Sequence, residues 1–117
     1  MIIGLFIGDG DTNEIILDID GGNFTTNEGY VKIKDYEKPE DQDIANMAIG
    51  LYKSKANMEA GKPIIYCEKI PVGFTVACTM TEWEGGAAPA VLYPKLKEAI
   101  ESIDPSWLGK IFDDNTE

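Results

Sequence analysis

Arginine and histidine are both missing from the chain: its ten basic residues are all lysine, set against 21 acidic residues for a formal charge of −11. Average usage would place roughly five or six arginines in a chain of this length. Without a guanidinium there is no planar fork for bidentate grip on phosphate or carboxylate. Without an imidazole there is no side chain whose ordinary pKa suits acid-base work at neutral pH, and the commonest transition-metal ligand is gone. A Ser-His-Asp triad, a Cys-His dyad and a His-bearing zinc site are therefore excluded. The strong negative charge also disfavours nucleic acid and anionic membrane surfaces as direct partners.

Cysteine is nearly absent as well. Cys67 and Cys78 match no zinc or redox spacing, and two thiols are too few for a disulfide framework, so buried, reduced cysteines are expected. Long apolar runs are missing too. The run Met1-Ile2-Ile3-Gly4-Leu5-Phe6-Ile7-Gly8 has no basic flank and is too short for a signal core or a membrane span. The expectation is a cytoplasmic protein, acting in the host cytoplasm if a phage encodes it.

What is present suits one small core. A length of 117 residues with 44% apolar content fits a single domain, read here as residues 1–112 with a frayed acidic tail at 113–117. The expected fold class is α+β: a small, mostly antiparallel sheet of about five strands packed against two helices, with a short C-terminal helical turn. In chain order this gives two or three strands, a helix, two strands and a helix.

Residues 2–8 read as a largely buried strand, and in 14–20 the alternation of Ile15, Leu17 and Ile19 with acidic residues reads as a half-buried one. Phe24 to Tyr36 returns as one strand or two, broken at Asn27-Glu28-Gly29, with Lys32 and Lys34 facing the acids of the preceding strand. After Pro39, the acids Glu40, Asp41 and Asp43 and the stripe Ile44, Met47, Ala48, Leu51, Tyr52 and Met58 predict a helix capped by Gly61. Pro63–Lys69 and Gly73–Thr81 read as a hairpin that brings the two cysteines onto one face. Thr81 to Pro89 reads as a loop, and residues 93–103 as a second helix with Leu92, Leu96, Ala99, Ile100 and Ile103 inward. Asp104-Pro105 reads as a cap followed by proline at the first helical position, docking Trp107 and its neighbours.

The densest polar stretch is Gly8-Asp9-Gly10-Asp11-Thr12-Asn13-Glu14, followed by Asp18 and Asp20. Asp9, Asp11 and Asn13 have the spacing of a calcium loop, but Glu14 stands where that loop needs glycine, and a strand follows where it needs a helix. Ile16-Leu17-Asp18-Ile19-Asp20-Gly21-Gly22 resembles the strand-end motif of the haloacid dehalogenase-like phosphatases, and Gly8-Asp9-Gly10-Asp11 resembles their later acidic loop. The resemblance implies a magnesium-dependent phosphatase with Asp18 as nucleophile and Asp20 as general acid. It departs at Gly22, where the family has threonine, in the order of the two motifs, and at Phe24 onward, which reads as strand where the family has helix. No phosphate loop is present, because no Gly-Lys-Ser/Thr follows the early glycines.

The expected function is that of a small, acidic, non-enzymatic binding protein that covers a basic surface of a partner such as a nuclease or nucleic-acid-binding protein. Inhibitors and nucleic-acid mimics used in phage anti-defence, and immunity proteins, are of this physical type. The candidate contact residues are Asp9, Asp11, Glu14, Asp18 and Asp20, together with Glu82, Trp83 and Glu84, where an aromatic between two acids suits an interface anchor or the core. This reading calls for no metal and no cofactor. The other two readings are the phosphatase centred on Asp18 and Asp20, and a virion or assembly component whose sheet edge pairs with neighbouring copies. The sequence leaves the oligomeric state open.

Overall fold

The structure, a computed structural model, describes residues 2–11, 14–17 and 24–115. Its strands are β1 (Gly4–Ile7), β2 (Ile15–Leu17), β3 (Phe24–Thr26), β4 (Gly29–Glu37), β5 (Ile44–Tyr52), β6 (Gly73–Ala77) and β7 (Ile111–Asp114). Its helices are α1 (Lys55–Glu59), α2 (Met80–Glu84) and α3 (Ala88–Glu101), with a 3-10 turn at Pro105–Trp107. The fold is α+β. The described residues build a five-stranded antiparallel sheet in the order β6-β5-β4-β1-β7, and β2 with β3 forms a separate two-stranded sheet.

Register assigns the two faces of the large sheet. Leu5 pairs with Val31 and Val31 with Leu51, so these three share a face, and with Ile7, Ile49 and Ile111 they are buried in the core. α3 covers that face with Leu92, Leu96 and Ile100, all fully buried, at the spacing of one helical stripe. Burying a side chain of this size stabilises by about 1.5–3 kcal/mol, so this stripe anchors the helix. The Tyr93 hydroxyl adds a polar fix: it accepts from the Ile33 amide at 2.9 Å and donates to the Ile3 carbonyl at 3.1 Å, beside an irregularity in β4 between Ile33 and Asp35. Ile15 and Leu17 bring β2 into the same core, and Trp107 is buried there after the Asp104 cap, whose carboxylate accepts from the Ser106 amide.

The opposite face carries an aromatic row. Phe112 pairs with Phe6, Phe6 with Tyr30, and Tyr30 with Tyr52, so four rings lie side by side across four strands. Phe6 and Tyr30 meet edge to face at 5.3 Å. α1 packs over the β4 and β5 part of this row, started by Ser54, whose hydroxyl accepts from the Asn57 amide at 3.1 Å.

Several segment assignments differ from the sequence reading. The helix expected after Pro39 is β5 followed by the short α1, because a central strand buried on both faces is apolar at nearly every position and satisfies a helical stripe too. Glu40, Asp41 and Asp43 accordingly lie on the turn between β4 and β5. The hairpin expected from 63 to 81 is absent: β6 pairs with β5, and Ile65 makes a single bridge to Leu51. Cys67 and Cys78 are nonetheless both buried. Lys32 and Lys34 lie on a strand that is not the neighbour of β2, since β4 pairs with β1 and β5 while β2 pairs with β3. Asp113 and Asp114, assigned to a frayed tail, end β7, paired with Leu5 and Gly4. The loop expected from Thr81 holds α2, and α3 begins at Ala88, a turn earlier than expected.

Candidate functional site

β1 ends in a tight turn that its glycines make feasible. Gly8 and Gly10 both adopt positive φ, 90° and 78°, a region that side-chain-bearing residues rarely enter. The Gly8 amide donates to the Lys110 carbonyl and the Gly10 amide to the Asn27 carbonyl, each at 2.7 Å. Asp9 folds back to accept from the Asp11 amide at 2.9 Å, and the Asn27 side-chain amide donates to the Asp11 carbonyl at 3.1 Å. Lys110 reaches the Glu14 carbonyl at 3.2 Å. The turn is thus tied to the β3–β4 junction and to the approach to β7, and it holds Asp9, Asp11 and Glu14 at the surface.

Beside this turn lies a groove of about 500 Å³, within the size range of small-ligand and side-chain pockets. Phe6 and Phe112, the half-buried end of the aromatic row, give it an apolar floor; Asp9, Asn27 and Glu28 from the turns and Ser54, Lys55 and Ala56 from the start of α1 complete its lining. Lys55 does not stand in this wall as a loose charge. Its ammonium lies 2.8 Å from the Asp114 carboxylate, which is 1% exposed and also accepts from the Tyr30 hydroxyl at 2.7 Å. Burial, then the hydrogen bond and the charge of Asp114, push the Tyr30 hydroxyl far above its ordinary pKa.

The other predicted contact residues stand apart from the turn. Ile7 pairs with Gly29 at the start of β4, whereas Trp83 meets Tyr36 near its end, edge to face at 5.9 Å, so β4 separates them by roughly 20 Å of strand rise. Trp83 is half-buried against the core. Glu82 closes a capping box with Thr79 and binds Lys95 at 2.7 Å; that lysine and the Thr79 amide hold its carboxyl below the usual range. Glu84 is exposed at the end of α2. Asp18 and Asp20 lie outside the described residues, so the acidic strand face and the phosphatase motif both fall there. β2 pairs antiparallel with β3, a strand where the phosphatase resemblance implies a helix. Among the described residues, no three Cys, Asp or Glu side chains gather so as to hold a metal ion.

Sequence reasoning missed the aromatic floor and Asn27, Glu28, Ser54 and Lys55. Ser54-Lys55-Ala56-Asn57 carried a cap signal that the longer expected helix concealed. The pairing of Phe6 with Phe112 joins the two ends of the chain and has no local signature.

Among the described residues, no helix is long and apolar enough to cross a membrane. Comparison with protein-family models, with curated proteins and with solved structures gives no match.

Proposed function

We propose that this chain is a small acidic binding protein that covers a basic surface of a partner protein, of the kind presented by a nuclease or another nucleic-acid-binding protein. The observation that carries the reading is the juxtaposition of the Asp9-Gly10-Asp11 turn with the groove floored by Phe6 and Phe112. An apolar floor beside carboxylates suits a lysine or arginine side chain: its methylene stem covers the rings and its charge meets Asp9 and Glu28. A net charge of −11 supplies the long-range attraction that steers such a partner in.

The experiment is capture from a lysate of the native host on immobilised wild type and on an Asp9→Lys, Asp11→Lys, Glu14→Lys variant, washed at rising salt. The reading predicts a basic protein held by wild type, released by salt and lost in the variant. Equal retention on both columns, or retention indifferent to salt, contradicts it.

A further inference from the structure

The two edges of the large sheet differ in charge. β7 forms one edge and ends in Asp113 and Asp114, with Lys97 3.8 Å from Asp113. β6 forms the other edge, and the whole segment Ile70–Thr81 around it contains no charged residue, in a chain that is 26% charged. Edge strands of soluble proteins are usually blunted by a lysine, a proline or an inward charge. Gly73, Thr75 and Ala77 are instead exposed along β6, and Val72 beside them is 53% exposed.

The ladder shows which backbone groups this edge presents. The Cys78 amide donates to the Asp43 carbonyl and the Ile49 amide to the Val72 carbonyl, so residues 72 and 78 direct their backbone toward β5. Antiparallel alternation turns 74 and 76 the same way and leaves Gly73, Thr75 and Ala77 with N–H and C=O directed outward. That row is complementary to itself. Centred on Thr75, an antiparallel copy sets Thr75 opposite Thr75 and Gly73 opposite Ala77, and every outward group meets a partner. The same register places Phe74 opposite Val76 on the core-facing side, an aromatic and β-branched pair of the kind that stabilises sheets, and both are already half-buried.

We propose that a second copy of this chain pairs with β6 in this register, continuing the sheet across a two-fold axis. A second copy is the occupant that this edge fits because the outward groups of Gly73, Thr75 and Ala77 complement themselves in that register, Phe74 meets Val76, and no like charges face each other across an uncharged strand. The inference is independent of the basic partner, and salt separates them. Screening strengthens pairing between like-charged copies and weakens binding to a basic surface.

The test combines sedimentation velocity across a concentration series at low and high salt with amide hydrogen exchange on the wild type. The expected result is a dimer whose fraction rises with concentration and with salt, and exchange at Gly73, Thr75 and Ala77 that slows in step with it. Thr75→Lys places like charges opposite each other and raises the dimer dissociation constant at least about tenfold. Thr75→Pro removes an outward donor that β5 does not use and has the same effect. A monomer at every concentration and salt overturns the proposal, as does concentration-independent exchange at the three amides or a dimer unchanged in both folded variants.

Discussion

Tyr30 and Asp114 share a buried hydrogen bond of 2.7 Å although 84 positions separate them in the sequence. The bond joins β4 to the last residue of β7 across β1, and Lys55 completes it from α1, its ammonium 2.8 Å from the same carboxylate oxygen and 6.0 Å from the Tyr30 ring centroid. A buried carboxylate is costly unless paired and hydrogen-bonded, and here it is both. The pairing explains why an acidic C-terminal segment is strand, and it fixes the lysine that walls the groove.

Removing either partner therefore has unequal consequences. Tyr30→Phe leaves Asp114 its ion pair and is expected to cost about 1–2 kcal/mol in urea unfolding. Asp114→Ala strands the lysine and the hydroxyl together and is expected to cost about 3 kcal/mol, moderated by the 21% exposure of the Lys55 side chain. Equal midpoints for the two variants contradict this ordering.

Gly4 marks where the same tyrosine crosses β1. A Cβ there would lie 2.0 Å from the Tyr30 hydroxyl oxygen and 2.2 Å from Cζ, and the ring is fully buried. Gly4→Ala is expected to lose cooperative thermal unfolding. Gly86→Ala, whose Cβ would stand 3.9 Å from Val91, is expected to melt as wild type does. Cooperative melting near the wild-type temperature in Gly4→Ala would refute the close approach.

Alkaline stability follows from two buried phenols. Burial raises Tyr30 and Tyr93 above the ordinary 10.0, so the fold favours their neutral forms. That contribution is complete below pH 10 and is lost as pH rises beyond it. Absorbance titration at 295 nm, compared with Tyr30→Phe and Tyr93→Phe, is expected to show these two phenols ionising above the ordinary value, with the circular dichroism signal falling as they do. Ionisation of Tyr30 and Tyr93 near the ordinary value with that signal intact would contradict the buried arrangement.

Acid behaves in the opposite sense. Lys69, at 2.9 Å, and the Ser106 amide hold Asp104 down to about 2 from its ordinary 3.8. Its stabilising share is present above pH 3.8 and fades as pH falls toward 2. The difference in melting temperature between wild type and Asp104→Asn should shrink over that window, and added salt should reduce it at neutral pH because the pair is exposed. A difference constant from pH 5 to pH 2 would assign the variant's effect elsewhere.

The fold class was legible because turn chemistry and apolar alternation are local. Asn27-Glu28 does separate β3 from β4, and Asp104-Pro105 does start a helical turn. β5 was not legible, since Ile44, Met47, Ala48 and Leu51 fit a helix as well as a strand. Gly50, which costs a helix interior about 1 kcal/mol, was the signal against it. For α2 the overlooked signal was Thr79-x-x-Glu82, a capping box. The site was legible only in its turn: Asp9 and Asp11 stand beside the groove, while its floor comes from Phe6 and Phe112, paired between β1 and β7.

The central claim is that charge around the Asp9 turn binds a basic partner, and the most direct measurement is the salt dependence of affinity for a protein captured by the wild type. The account predicts affinity that falls steadily with ionic strength, and a slope and affinity both reduced by the Asp9→Lys, Asp11→Lys, Glu14→Lys variant. Affinity that is flat with salt, or unchanged in that variant, would contradict it.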